Sequence, residues 1–128
     1  MKNVIVSIQN GLLSEAISRM LHESGAFKTY RIPINQACSI VSDCVSLAAD
    51  ILLMEVSGVS GTTFDERISE GKKVKENIPE CKIVLLCDEN SNPEIARQVV
   101  NAKKQDAIDS FLYSSVTGSY LTAMMDSL

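Results

Sequence analysis

Three short runs, NVIVSI (3–8), ILLMEV (51–56) and KIVLLC (82–87), are apolar at nearly every position rather than at every second one. A strand that is apolar on both alternations has both faces covered, as strands have in a parallel sheet flanked by helices. A strand with one wet face would alternate instead. Parallel neighbours also cannot be joined by a tight turn, because each crossover needs a dozen or more residues, normally a helix. These three runs constrain the chain more than any other feature.

The segments between them read as those crossovers. In GLLSEAISRMLHESG, Leu12, Leu13, Ala16, Ile17, Met20 and Leu21 recur at helical spacing, with Ser14, Glu15, Ser18 and Arg19 placed outside and Gly25 as the stop. KTYRIP (28–33) reads as a second, more exposed strand. Asn35 can cap a helix whose apolar face is Cys38, Ile40, Val41, Cys44, Val45 and Ala48. After SGVSG, Thr63-Phe-Asp-Glu66 has the spacing of a capping box and opens a charged helix to about Ile78, with Gly71 a weak point in it. Asn92-Pro93 starts a helix lined by Ile95, Ala96, Val99 and Val100. AIDSFLY (107–113) is a fifth strand, and from Thr117 a last helix buries Leu121, Met124, Met125 and Leu128. Strict strand–helix alternation predicts a three-layer α/β fold, (βα)5, whose parallel five-stranded sheet has the flavodoxin-like order 2-1-3-4-5. That order places a site at the carboxyl ends of strands 1 and 3, beside strand 4. Gln9, Asn10, Glu55, Cys87 and Ser114 stand at such ends.

With 128 residues, 45% of them apolar, the chain is read as a single domain, 1–128. A net charge of −4 without a basic stripe argues against holding nucleic acid with this domain alone. There is no apolar run long enough to span a bilayer and no signal-peptide layout, so no membrane partner is expected and the cytoplasm is the expected compartment. Cys38, Cys44, Cys81 and Cys87 form no C-x-x-C pair, and His22 is the one histidine, so no zinc set is present and buried reduced thiols are expected. SGVSGTT lacks the Lys-Ser/Thr of a phosphate-binding loop and reads as a turn. His22 reads as a surface residue, and GKKVKE as a solvated helix face.

With these positions placed, the sequence resembles the CheY-like receiver domains of bacterial response regulators, especially those joined to helix-turn-helix output domains. GLLSEAISRMLHESGAFKTYRI resembles their first helix and second strand. AADILLMEVSGVSG resembles the third strand, phosphoacceptor and following loop. FLYSSVTGSYLTAMM resembles the fifth strand and last helix, with Phe111 at the switch aromatic. The resemblance covers essentially the whole chain and implies a role in two-component (phosphorelay) signal transduction.

A working receiver binds Mg²⁺ with two acids after strand 1 and the phosphoacceptor aspartate after strand 3. A Ser or Thr after strand 4 and a Lys after strand 5 contact the phosphoryl oxygens. Matched by position, the acid pair falls on Ile8 and Gln9, or on Gln9 and Asn10 with a one-residue slip. The aspartate becomes Glu55, the hydroxyl residue Cys87 and the lysine Ser114, the last across a slightly longer strand 4 to strand 5 segment. Three carboxylates reduce to one, and the lysine's fixed cation is lost. Amides offer a hard cation oxygens but no charge, so Mg²⁺ binding is expected to be weak or absent, with no other cofactor. The resemblance therefore implies a degenerate receiver, a pseudo-receiver whose Glu55 weakly imitates an aspartyl phosphate. It would act through protein contacts across helix 4, strand 5 and helix 5, with a kinase, an output domain or a second copy as partner.

The competing reading is a flavodoxin-like domain that binds flavin or a small phosphorylated ligand, with QNG cradling phosphate at the start of the first helix. It lacks a Ser/Thr-rich loop there, and without tryptophan it offers little to stack on a flavin. An enzyme ranks last, because no nucleophile–base pair or metal cluster is visible. Cys87 reads as a core thiol, since carboxylates such as Asp88 and Glu89 nearby would dull it.

Overall fold

Each of the three continuous apolar runs forms an interior strand. The computed structural model describes residues 2–8, 11–32, 40–56, 64–87, 93–113 and 117–128. Within them the order is β1 (Lys2–Ser7), α1 (Gly11–Glu23), β2 (Phe27–Arg31), α2 (Ile40–Ser46), β3 (Ile51–Glu55), α3 (Phe64–Asn77), β4 (Lys82–Cys87), α4 (Pro93–Lys104), β5 (Ser110–Tyr113) and α5 (Gly118–Asp126). All neighbouring strands are parallel, and the sheet order is β2-β1-β3-β4-β5, as the alternation predicts.

The period of two along each strand divides the interior into two cores. Val4, Val6, Ile51, Leu53, Val84 and Leu86 face Ile17 and Leu21 of α1 and Leu121 and Met125 of α5. Ile5, Leu52, Met54, Ile83, Leu85 and Cys87 face Cys44 of α2, Val74 of α3 and Val99 of α4. This is why the central strands must be apolar at every position. Cys44, Cys81 and Cys87 are buried and not disulfide-bonded, while Cys38 lies outside the described residues.

The helix punctuation largely holds. Gly25 takes a positive φ of 78° just past α1, Pro93 opens α4, and the Thr117 hydroxyl caps α5 by accepting from Tyr120 N at 3.2 Å. Asn35, Thr63 and Asn92 lie outside the described residues. Gly71 does not interrupt α3. A Cβ there would come within 3.3 Å of Ile83 Cγ2, so the glycine lets the helix lie close on β4.

Three local expectations are corrected. The inner line of α1 is Ser14, Ile17, Ser18 and Leu21, while Leu12 is 79% and Met20 40% exposed. Ser14 is drawn in by the guanidinium of Arg31, whose Nε donates to Ser14 Oγ at 3.1 Å, and Met20 turns toward Gly118 at the start of α5. In α2 only one narrow face is covered, so Val45 stays half exposed; the helix ends at Ser46, leaving Ala48 exposed beyond it at a φ of 51°. The fifth strand starts at Ser110 rather than at Ala107. Residues 107–109 bend so that the Asp109 carboxylate accepts from Ile83 N at 2.7 Å and pairs with Lys75 Nζ at 2.8 Å.

Candidate functional site

The helices following β1 and β3 leave to opposite faces of the sheet, which opens a crevice at the carboxyl ends of these two strands. Glu55 is the last residue of β3 and is half-buried. On one side it is paired in register with Leu86 of β4, and Val56 N donates to Leu86 O at 2.9 Å. On the other side Ser7 pairs with Met54, so Ile8 comes beside Glu55 as the chain leaves the sheet. Ile8 is 3% exposed and packs into the core under α1 and α5.

Cys87 ends β4, is buried, and is paired with Tyr113 of β5. Phe111, paired with Leu85, packs on the same core as Cys87, and its ring meets Tyr113 edge-on at 5.6 Å. The fold thus gathers Ile8, Glu55 and Cys87 at one end of three adjacent strands, with Phe111 one strand further. Gln9, Asn10 and Ser114 lie outside the described residues, as do Asp88 and Glu89.

A fixed cation is present at this end of the sheet after all, supplied by α3. Arg67 is only 2% exposed, and at least four of its five donor hydrogens are used. Its Nε donates to the main-chain oxygen of Glu55 at 3.0 Å. Nη1 donates to Ser7 Oγ at 3.1 Å and to Glu70 Oε2 at 3.2 Å, and Nη2 donates to Ser7 O at 3.1 Å. One planar fork therefore ties together the ends of β1 and β3 and the first turns of α3. Burial lowers the guanidinium's pKa, whereas the carboxylates of Glu70 and then Glu55 pull it back up. Arginine holds its proton under such opposing pulls, so the group is a permanent positive charge.

Nothing in the sequence motifs points to Arg67, because an arginine in FDERISEGKKVKEN reads as part of a solvated face. A subtler signal was available. Phe64, Arg67, Gly71 and Val74 follow the 3-4-3 spacing of the covered stripe, and Arg67 is the one charged member of it. An arginine on such a stripe must be satisfied inside the protein. A second arginine at the same end of the sheet, Arg31 of β2, is exposed and also donates Nη2 to Gly11 O at 3.1 Å, joining β2 to the start of α1.

Among the described residues, Ser7 O, Ser7 Oγ and the main-chain oxygen of Glu55 at the ends of β1 and β3 thus already accept from the guanidinium. Among the described residues no group of three or more His, Cys, Asp and Glu side chains could hold a metal ion, and no helix is long and apolar enough to cross a membrane. His22 is exposed, as expected.

No protein-family profile matches the sequence, and no curated protein matches it. Solved structures do match. A DNA-binding response regulator of the LuxR family from Staphylococcus aureus superposes with a TM-score of 0.74 at 9% identity, covering 99% of this chain and 98% of that one. A response regulator receiver domain protein from Clostridium thermocellum gives 0.73 at 13% identity, covering 99% and 93%. A protein described as related to pilus assembly, from Burkholderia pseudomallei, also gives 0.73, at 17% identity, covering 99% and 88%. The chain therefore has the three-layer (βα)5 fold of response-regulator receiver domains.

Proposed function

We propose that the chain is a receiver-type module of two-component signalling whose site no longer runs on Mg²⁺-dependent phosphorylation and which acts through protein contacts. The observation that carries this reading is the placement of Glu55. It ends the central strand β3 at the switch point, where receivers hold their phosphoacceptor, yet its β1 neighbour is Ile8 and the nearest buried charge is Arg67. The structural neighbours that are described as response regulators support the class.

A glutamate in that place carries its charge one methylene further out than aspartate, where it stands in for part of an aspartyl phosphate. Cys87 offers only a weak donor in place of a hydroxyl. Transfer of a phosphoryl group needs its developing charge neutralised by metal and cation together, and this donor set does not fit that task. The partner surface is the face of α4, β5 and α5, which Phe111 and Tyr113 join to Cys87 and so to the end of β3. A kinase, an output domain or a second copy would dock there.

Incubation with Mg²⁺ and acetyl phosphate, followed by intact-mass measurement, tests the site. An unchanged mass is expected, and a stoichiometric gain of one phosphoryl group on Glu55 refutes the reading. Coupling to the partner surface is tested by NMR on Glu55→Gln. Shift changes should reach Phe111 and Tyr113; changes confined to the end of β3 would show that nothing is transmitted.

A further inference from the structure

A buried arginine fastened to two strand ends is an uncommon feature, because a guanidinium taken out of water is stable only where nearly all its donors are matched. Here the match is close, and its acceptors are informative. Ser7 O, Ser7 Oγ and Glu55 O are three uncharged oxygens converging from β1 and β3. Carbonyl and hydroxyl oxygens converging beside a carboxylate are also what a hard divalent cation selects. In this chain they face a guanidinium.

We infer that the Arg67 guanidinium is the resident cation of the crevice and stands in for a divalent ion. The comparison with a divalent ion rests on the receiver reading above; the bonds of Arg67 do not. Three further observations agree. Ile8, which is an acid's position in one of the two registers of the match, is turned into the apolar core under α1 and α5 and offers no ligand. The carboxylates that stabilise the charge of Arg67 are those of Glu70 and Glu55, so a divalent ion drawn to them would meet a fixed positive charge already beside them. Arg67 also fastens α3 to β1 and β3 through bonds within one chain, so the joint forms on folding and needs no metal from solution.

The consequence is regulatory. A receiver that needs a divalent ion is inactive without one, whereas a site with an internal cation keeps one arrangement whatever the Mg²⁺ level. Control then passes to whatever contacts the face of α4, β5 and α5.

Binding of Mn²⁺, read by water-proton relaxation, tests this on wild-type protein, Arg67→Lys, Arg67→Gln and Arg67→Gln/Glu55→Gln. Wild type and Arg67→Lys, which both keep the charge, should show no saturable binding at millimolar Mn²⁺. Arg67→Gln keeps an amide donor for Ser7 but loses the charge, and should bind at least about tenfold more tightly than wild type. Adding Glu55→Gln should abolish that gain. Wild-type binding equal to that of Arg67→Gln, or a folded Arg67→Gln that gains nothing, overturns the inference. Should Arg67→Gln fail to fold, the wild-type Arg67 Nε–H resonance decides: it should be protected from exchange and unmoved by Mg²⁺, and a saturable shift overturns the inference. Mn²⁺ bound by wild type through Glu55 would remove the inference and leave the receiver reading standing. Loss of coupling between Glu55 and Phe111 would do the reverse.

Discussion

Replacing Arg67 by methionine keeps much of the side-chain length and removes every donor. Two buried acceptors, Ser7 Oγ and Ser7 O, and the part-buried Glu55 O then lose this donor. Glu70 is about one-third exposed and can turn to water, so its share is small. Leaving a buried polar atom unsatisfied costs about 1–3 kcal/mol, and breaking one side of a buried charged cluster costs about 3–5 kcal/mol in total. The expected loss for Arg67→Met is therefore about 3–5 kcal/mol, a large part of the roughly 5–15 kcal/mol that holds an ordinary domain together. Ser7→Ala removes one acceptor and leaves Nη1 its bond to Glu70, so it should cost about 1 kcal/mol. Arg67→Lys keeps the charge but replaces a planar fork with a point donor that cannot reach both strand ends, and should fall between the two. Urea unfolding of the three variants, compared by midpoint at constant slope, reads the series. A loss below about 1 kcal/mol for Arg67→Met, or full rescue by lysine, would refute the claim that the fork joins β1 to β3.

Other outcomes follow from the packing. Gly71→Val should destabilise by about 1–3 kcal/mol, because its branches must enter space already filled by Ile83 Cγ2 and Met54 Cε; thermal unfolding at wild-type level would mean that α3 lies further from β4. Burial alone would raise the Asp109 carboxyl, but the hydrogen bonds from Lys75 and Ile83 N outweigh it and hold the pKa below its ordinary value. That pairing stabilises the fold above the usual carboxylate pKa and is lost as pH falls through the lower folded value, so the stability gap between wild type and Asp109→Asn should close on acidification. A gap that widens would contradict it. Burial, then the neighbouring thiol and acids, pushes Cys44 up to about 12; burial, partly relieved by Lys75, pushes Cys81 up to about 11. Neither should react with iodoacetamide at pH 8 in folded protein, and both should in urea. Equal labelling in the two states would show that the thiols are not enclosed.

The layering and strand order were legible because NVIVSI, ILLMEV and KIVLLC carry no polar alternation, and a chain with three such runs has few ways to cover both their faces. Local detail was less legible where polar atoms settle the geometry. Ser14 reads as an outer residue until Arg31 is seen to hold it, and the start of β5 depends on where Asp109 finds its donors. The candidate site was half readable. Ile8, Glu55 and Cys87 stand at the ends of neighbouring strands, as their positions in the apolar runs require, whereas their roles there are not read from position. Arg67 escaped notice because charge in a helix is read as exposure, and only its place on the stripe of Phe64, Gly71 and Val74 contradicts that.

The claim at the centre of this account is that the crevice between β1 and β3 carries its own cation. An experimental structure of crystals soaked in Mn²⁺ and beryllofluoride, with anomalous scattering to locate the metal, tests it most directly. The expected map has no metal peak beside Glu55 and a guanidinium still hydrogen-bonded to Ser7 and to the Glu55 carbonyl. A peak coordinated by Glu55, with Arg67 displaced from Ser7, would contradict it.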